Sequence, residues 1–149
     1  MTLVDGAPPT ASAVTVCCRP VPSTVRFLVV CLAGAAGTGA RFLVTTGLLR
    51  WLGPAFPSGT LAVNVVGSGL LGLVMELALH GVIAPDTRVV LAAGVMGGFT
   101  TYSSFNYEAL SYFQRGAWAL GGGYLLATVV GCLAAGALGV AGARWLLAG

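Results

Sequence analysis

Polar and helix-loosening residues interrupt an apolar stretch of this chain, in the run GGFTTYSSFNYE from Gly97 to Glu108. Its two glycines carry no side chains, and the threonines that follow have hydroxyls that can divert backbone hydrogen bonds. These residues predict a helix break in the GGFT part of the run. Carbonyl oxygens freed by such a break are hard ligands that suit a small hard cation.

Two further apolar stretches carry polar residues that need partners. Asn64 lies in SGTLAVNVVG, where an unsatisfied amide in hydrocarbon would be costly. It either makes a hydrogen bond to another helix or points its NH₂ group into a pore. Tyr124, Thr128 and Cys132 have the spacing i, i+4 and i+8, which places them on one helix face. This stripe either forms hydrogen bonds between helices or lines an ion pathway. Polar residues in the GGFT region could form the opposite wall of such a pathway, which favours the second alternative.

Ionisable residues inside or beside the apolar stretches also have alternative interpretations. Arg41 either extends to the lipid headgroups or attracts anions in a water-filled vestibule. Glu108 either flanks a vestibule or reaches the membrane interface. For Glu76 and His80 we expect a wet interfacial location near the end of their helix.

Composition indicates that the chain is built for a lipid solvent. It is 57% hydrophobic and 7% charged, whereas a soluble domain carries about a quarter charged residues. Its mean hydropathy is +0.94. Because a bilayer core needs about 20 helical residues, the uncharged stretches predict an all-α membrane protein. We expect four transmembrane helices, near Val25–Leu49, Ser58–His80, Asp86–Tyr112 and Ala117–Leu147.

Two parts of the chain are expected. Residues 1–22, rich in proline, threonine and alanine, predict a disordered N-terminal tail, and residues 23–149 form the four-helix transmembrane domain. The short loops make neighbouring helices antiparallel.

The difference in arginine number between the two sides of the membrane is small, which favours insertion in both orientations. The side with both termini has Arg19, Arg26, Arg88 and Arg144, and the opposite side has Arg50 and Arg115. Four helices cannot both pack and enclose an aqueous path, so conduction requires an oligomer.

Several function classes are disfavoured. A net charge of +3 without a run of like charge argues against nucleic acid. The chain has one histidine and shows no nucleophile–base or metal-ligand spacing, so we do not expect an enzyme. Cys31 and Cys132 fit small buried hydrophobes.

Three motifs resemble those of the fluoride channel family (Fluc, also called CrcB). GGFTTYSSFNYE resembles the family signature GGxTTFSTFSxE, and GTLAVNVVGSGLLG is similar to GTLxVNxxGsfxlG of its second helix. AGAAGTGARF resembles GGxxGAxxRy of its first helix. The motifs occur in the family's order, and the resemblance covers roughly residues 26 to 147.

The resemblance implies an antiparallel, dual-topology dimer in the plasma membrane with two narrow pores that export fluoride. It implies a structural Na⁺ held by the carbonyls of Gly97 and Thr100 in both subunits, and Arg41 matches the family's vestibule arginine. Glu108 stays a possible vestibule residue from its position alone. Ring edges, hydroxyls and amide hydrogens would replace the water of fluoride. The implied pore residues are Asn64, Tyr102, Ser103, Ser104, Phe105, Tyr124, Thr128 and Cys132.

Two positions depart from the family pattern and leave alternatives open. Tyr102 stands where the family usually has phenylalanine, and Cys132 replaces a hydroxyl residue. These changes keep open a paired heterodimer with a paralogous subunit, in place of a homodimer. A small multidrug resistance exporter would need a carboxylate in the first helix, which has only Arg41 at that depth. A membrane scaffold would explain the glycines but not the polar run.

Overall fold

Helices make up nearly all of the chain that the structure, a computed structural model, describes, which is residues 22–149. None of these residues forms a strand. The predicted tail lies outside the described residues, apart from Pro22. The elements in chain order are α1 (Ser23–Leu52), α2 (Ser58–Leu79), α3 (Pro85–Val89), a π-helical segment (Val90–Met96), α4 (Gly97–Phe99), α5 (Tyr102–Gln114) and α6 (Trp118–Ala148).

The helices α1, α2 and α6 are each long and apolar enough to cross a membrane. The elements from α3 to α5, residues 85–114, form a fourth region that we call the broken segment. The predicted helix boundaries differ from the observed ones by no more than one turn. The π-helical part of the broken segment was not predicted, and π-helical turns occur often near functional sites.

The distribution of polar and apolar side chains suits a lipid solvent. Large apolar residues such as Leu32, Phe42 and Leu133 lie mostly exposed on the outside of the bundle. The interior instead contains polar side chains, which require partners because lipid supplies none. The buried polar residues are Thr60, Asn64, Glu76, Thr101 and Thr128.

Close packing between the helices positions the broken segment. The helix α2 packs mainly on α6, and α1 packs on the π-helical segment and α4. A Cβ atom on Gly98 would collide with the carbonyl of Gly34 on α1, so this crossing needs glycine and lets the two backbones approach closely. As a result, α1 supports one side of the break while α2 and α6 are left to face the other.

Candidate functional site

The broken segment stops being helical at two residues. Thr100 has φ −86° and ψ 163°, and Thr101 has φ −154° and ψ 112°, so both are extended. The helix resumes at Tyr102, with Thr101 as its N-cap, because the Thr101 hydroxyl accepts a hydrogen bond from the backbone N–H of Ser104. The break lies at the end of the predicted GGFT run.

Asn64 holds the break through two hydrogen bonds to one residue. Its Nδ2 donates to the carbonyl of Thr101 at 3.0 Å, and its Oδ1 accepts from the Thr101 N–H at 2.8 Å. Asn64 is only 8% exposed, so these bonds satisfy backbone groups that the break removes from the helix. Of the two alternatives for Asn64, the hydrogen bond to another helix is therefore present in the structure, and Asn64 also lines a cavity beside the break.

The two carbonyls predicted to hold a cation have lost their usual helical donors. In a continuous helix the N–H of Thr101 would donate to the carbonyl of Gly97, but it donates to Asn64 instead. In a continuous helix the N–H of Ser104 would donate to the carbonyl of Thr100, but it donates to the Thr101 hydroxyl instead. Such carbonyls suit a small hard cation. Among the described residues no group of three histidine, cysteine or carboxylate side chains could hold a metal.

A cavity of about 380 Å³ lies beside the break. It runs between α2, the break and α6, and it is open to the surface of the chain. Gly67 is required at its wall, because a Cβ atom there would collide with the Thr100 methyl group. Thr100, a predicted cation ligand, lines this cavity. So do five of the predicted pore residues: Asn64, Tyr102, Phe105, Thr128 and Cys132.

The rings of Tyr102 and Phe105 line this cavity, and they pack in edge-on arrangements. The Phe105 ring lies 5.9 Å from that of Tyr102 and 5.3 Å from that of Tyr124, with interplanar angles of 60° in both pairs. Phe105 is buried, whereas Tyr102 is 78% exposed. Edge-on packing directs the positive rim of one ring toward the face of another.

Glu108 accepts two hydrogen bonds from hydroxyl groups on other helices. Thr60 on α2 donates to Oε1 at 2.8 Å, and Tyr124 on α6 donates to Oε2 at 2.7 Å. Tyr124 is 1% exposed, and it does not line the cavity beside the break. Its hydroxyl is therefore committed to Glu108.

The structure leaves three other predicted residues outside that cavity. Ser103 and Ser104 have their hydroxyls 3.3 and 3.0 Å from the Thr101 hydroxyl. Arg41 is partly buried on α1 and does not line the cavity.

Sequence reasoning missed two hydroxyl residues of the site, Thr60 and Ser68. Ser68 lines the cavity beside the break. Thr60, Asn64 and Ser68 lie four residues apart along α2, the same spacing that identified the stripe on α6. This spacing could have identified them.

Comparison with known proteins assigns the chain to a family. The family model described as "CrcB-like protein, Camphor Resistance (CrcB)" matches residues 28–140. A "Fluoride-specific ion channel FluC" from Anaeromyxobacter dehalogenans is 56% identical over 122 residues, which cover 81% of this chain and 97% of the relative. A protein with the same name from Sorangium cellulosum is 48% identical over 125 residues, covering 83% and 98%. One from Agrobacterium fabrum is 46% identical over 118 residues, covering 78% and 94%. The chain therefore belongs to the CrcB family of multi-pass plasma-membrane proteins.

Proposed function

We propose that this chain forms a fluoride-selective channel that exports fluoride from the cytoplasm and reduces its toxicity. Its relatives are named fluoride-specific ion channels, so the family is one of channels and not of enzymes. The observation that carries the proposal is the cavity beside the break, which combines the Asn64 amide, hydroxyl groups and the Phe105 ring.

The chemistry of this cavity suits a small, strongly hydrated anion. Such an ion enters a narrow pore only if hydrogen-bond donors and positive ring edges replace its water. Asn64 has a second N–H besides the one given to Thr101, and the rings of Tyr102 and Phe105 supply edges. Thr128 and Cys132 extend this polar route along α6. Ser103 and Ser104 lie next to it through their contacts with Thr101, and Tyr124 contributes its ring, since its hydroxyl is given to Glu108. Arg41 and Glu108 are at vestibules.

A dimer completes the pore in this proposal. The chain spans the membrane four times, with the broken segment as the third crossing. Gly97, Tyr102 and Ser103 are exposed on a single chain, although exposing polar groups at membrane depth is unfavourable. A second copy, inserted in the opposite orientation, covers this face and encloses two pores. The nearly balanced arginines are compatible with both orientations.

The breaks of both subunits hold one structural Na⁺ in this proposal. The carbonyls of Gly97 and Thr100 are its ligands, since their helical donors are diverted to the side chains of Asn64 and Thr101. When bound, the ion supplies positive potential in a site of low dielectric. Asn64 keeps the Gly97 carbonyl available by accepting the N–H of Thr101, and the Thr101 hydroxyl does the same for the Thr100 carbonyl by accepting the N–H of Ser104.

A paired heterodimer is the second candidate. Tyr102 lines the cavity and is 78% exposed, so its hydroxyl group, absent from phenylalanine, lies where the pore would form. A second, non-identical subunit would then provide the other pore face.

Fluoride efflux from liposomes that contain the purified protein alone tests the proposal. We expect electrogenic fluoride release, measured with a fluoride electrode, and no chloride release. Absence of fluoride flux, or equal chloride flux, would contradict a homodimeric channel. Flux that returns only with a co-purified second subunit would support the heterodimer.

A further inference from the structure

A second cavity lies at the end of the bundle that holds the α1–α2 loop. It has a volume of about 250 Å³ and lies between that loop and the last turns of α5. Phe56 and Pro57 form one wall, and Glu108 and Arg115 lie on the other. The Tyr112 hydroxyl fixes the loop by donating to the carbonyl of Ala55 at 3.2 Å. The cavity is thus a formed part of the fold.

Hydrogen bonds fix the Arg115 side chain at this cavity, but no carboxylate pairs with its charge. Its Nε donates to the Ser111 carbonyl at 2.9 Å, and its Nη2 donates to the Ser111 hydroxyl at 3.1 Å. Its guanidinium carbon lies 5.2 Å from the centre of the Tyr112 ring. Within residues 22–149 Arg115 makes no ion pair. A guanidinium has five N–H donors, so three remain for an anion.

Contacts connect this cavity to the one beside the break. Glu108 lines the Arg115 cavity, and its carboxylate accepts the hydroxyl hydrogen of Tyr124. The Tyr124 ring in turn packs edge-on against Phe105, which lines the cavity beside the break. Arg115 therefore lies on the loop side of this series of contacts, and the Phe105 ring lies on the side of the break.

The Glu108 carboxylate would repel an anion that enters the Arg115 cavity unless a positive charge lies nearby. Both of its oxygens accept hydroxyl hydrogens, and no described arginine or histidine lies within ion-pair distance of it. A carboxylate without a cation repels an entering anion. Arg115 lines the same cavity and offsets that repulsion.

We propose that Arg115 is an anion-capture residue that raises the local concentration of fluoride at the loop end of the pore. This inference rests on the proposed fluoride flux and adds an entry residue that the family motifs did not identify. Charged cleft residues raise the rate at which an oppositely charged solute arrives, and salt screens that effect.

The test is the initial rate of fluoride efflux at low and high ionic strength for Arg115→Gln. At about 10 mM salt, where the Debye length is about 30 Å, we expect the rate to fall roughly three- to tenfold. In about 1 M impermeant salt, where the Debye length is about 3 Å, we expect the difference to disappear. Arg115→Lys keeps the charge and should retain at least half of the original rate.

Arg50→Gln is the matched control, because Arg50 is exposed at the same end of the bundle but does not line the cavity. It should lower the rate clearly less than Arg115→Gln does at low salt, because its charge lies outside the cavity. The inference is overturned if Arg115→Gln has no effect at low salt, if its loss persists at high salt, or if Arg50→Gln or Arg115→Lys loses as much. Absence of flux in the unaltered protein would instead overturn the proposed function, and this inference with it.

Discussion

The two ends of the helical bundle contain the same charged residue types but pair them differently. At the end that holds the start of α1 and the end of α6, Arg26 forms an ion pair with Asp86. At the same end Arg144 donates from Nε to Glu76 at 2.7 Å. At the loop end, Arg115 binds backbone and hydroxyl oxygens of Ser111. We call these the paired end and the unpaired end.

Burial separates the two ends as well. The Glu76 side chain is 7% exposed, and the Nδ1–H of His80 donates to the Glu76 carbonyl at 3.0 Å. A buried carboxylate needs a charged or hydrogen-bonded partner. Charges at the paired end thus join helices, because Glu76 on α2 is held by α6. Charges at the unpaired end remain available to a solute.

Introducing a carboxylate into the cavity beside the break tests whether unpaired charge must be excluded there. For Asn64→Asp we expect fluoride efflux to fall at least about a hundredfold, since like charges a few Å apart repel strongly at reduced dielectric. The liposome efflux assay measures this loss.

The control for that change is Ala148→Asp, which adds the same charge at the exposed end of α6. It should keep the original efflux rate. If Asn64→Asp conducts normally, Asn64 does not face the anion and the cavity is not the pore.

Removing the arginine at the paired end tests whether that end is structural. For Arg144→Gln we expect the free energy of unfolding to fall by about 2 kcal/mol, because the buried Glu76 carboxylate loses a charged hydrogen-bond partner. This is below the range for a fully buried pair, since the Arg144 side chain is 67% exposed. Equilibrium unfolding in detergent micelles measures the change.

The double variant Glu76→Gln with Arg144→Gln serves as its control. Two neutral side chains leave no uncompensated charge, so it should recover most of the lost stability. Arg50→Gln at the unpaired end should change stability by less than about 0.5 kcal/mol. Equal losses for Arg50→Gln and Arg144→Gln would remove the difference between the ends.

Local features of the site were predictable from the sequence because they depend on neighbouring residues. The glycines and threonines of GGFTT predicted the break, and the break lies at the extended residues Thr100 and Thr101. The spacing of Tyr124, Thr128 and Cys132 predicted a shared helix face. Thr128 and Cys132 line the cavity beside the break, whereas Tyr124 does not. Such signals require only helical geometry and backbone chemistry.

Long-range partners were not predictable, because one sequence does not state which helix faces meet. Asn64 bonds to a residue 37 positions away, and Glu76 to one 68 positions away. The expectation of a wet interfacial location for Glu76 was wrong, since packing against α6 buries it. The pairing of Glu108 with Thr60 was missed for the same reason.

The second ion pair of the paired end provides the smallest expected effect. Arg26 and Asp86 are 42% and 40% exposed in their side chains, so water and salt screen their attraction. Exposed pairs contribute about 0.2–1 kcal/mol. For Asp86→Asn we therefore expect the free energy of unfolding to fall by less than about 1 kcal/mol, with a smaller loss in high salt. The same unfolding measurement at two salt concentrations checks this. A loss as large as that of Arg144→Gln would mean that partner identity, and not burial, determines how strongly charges join the helices at this end.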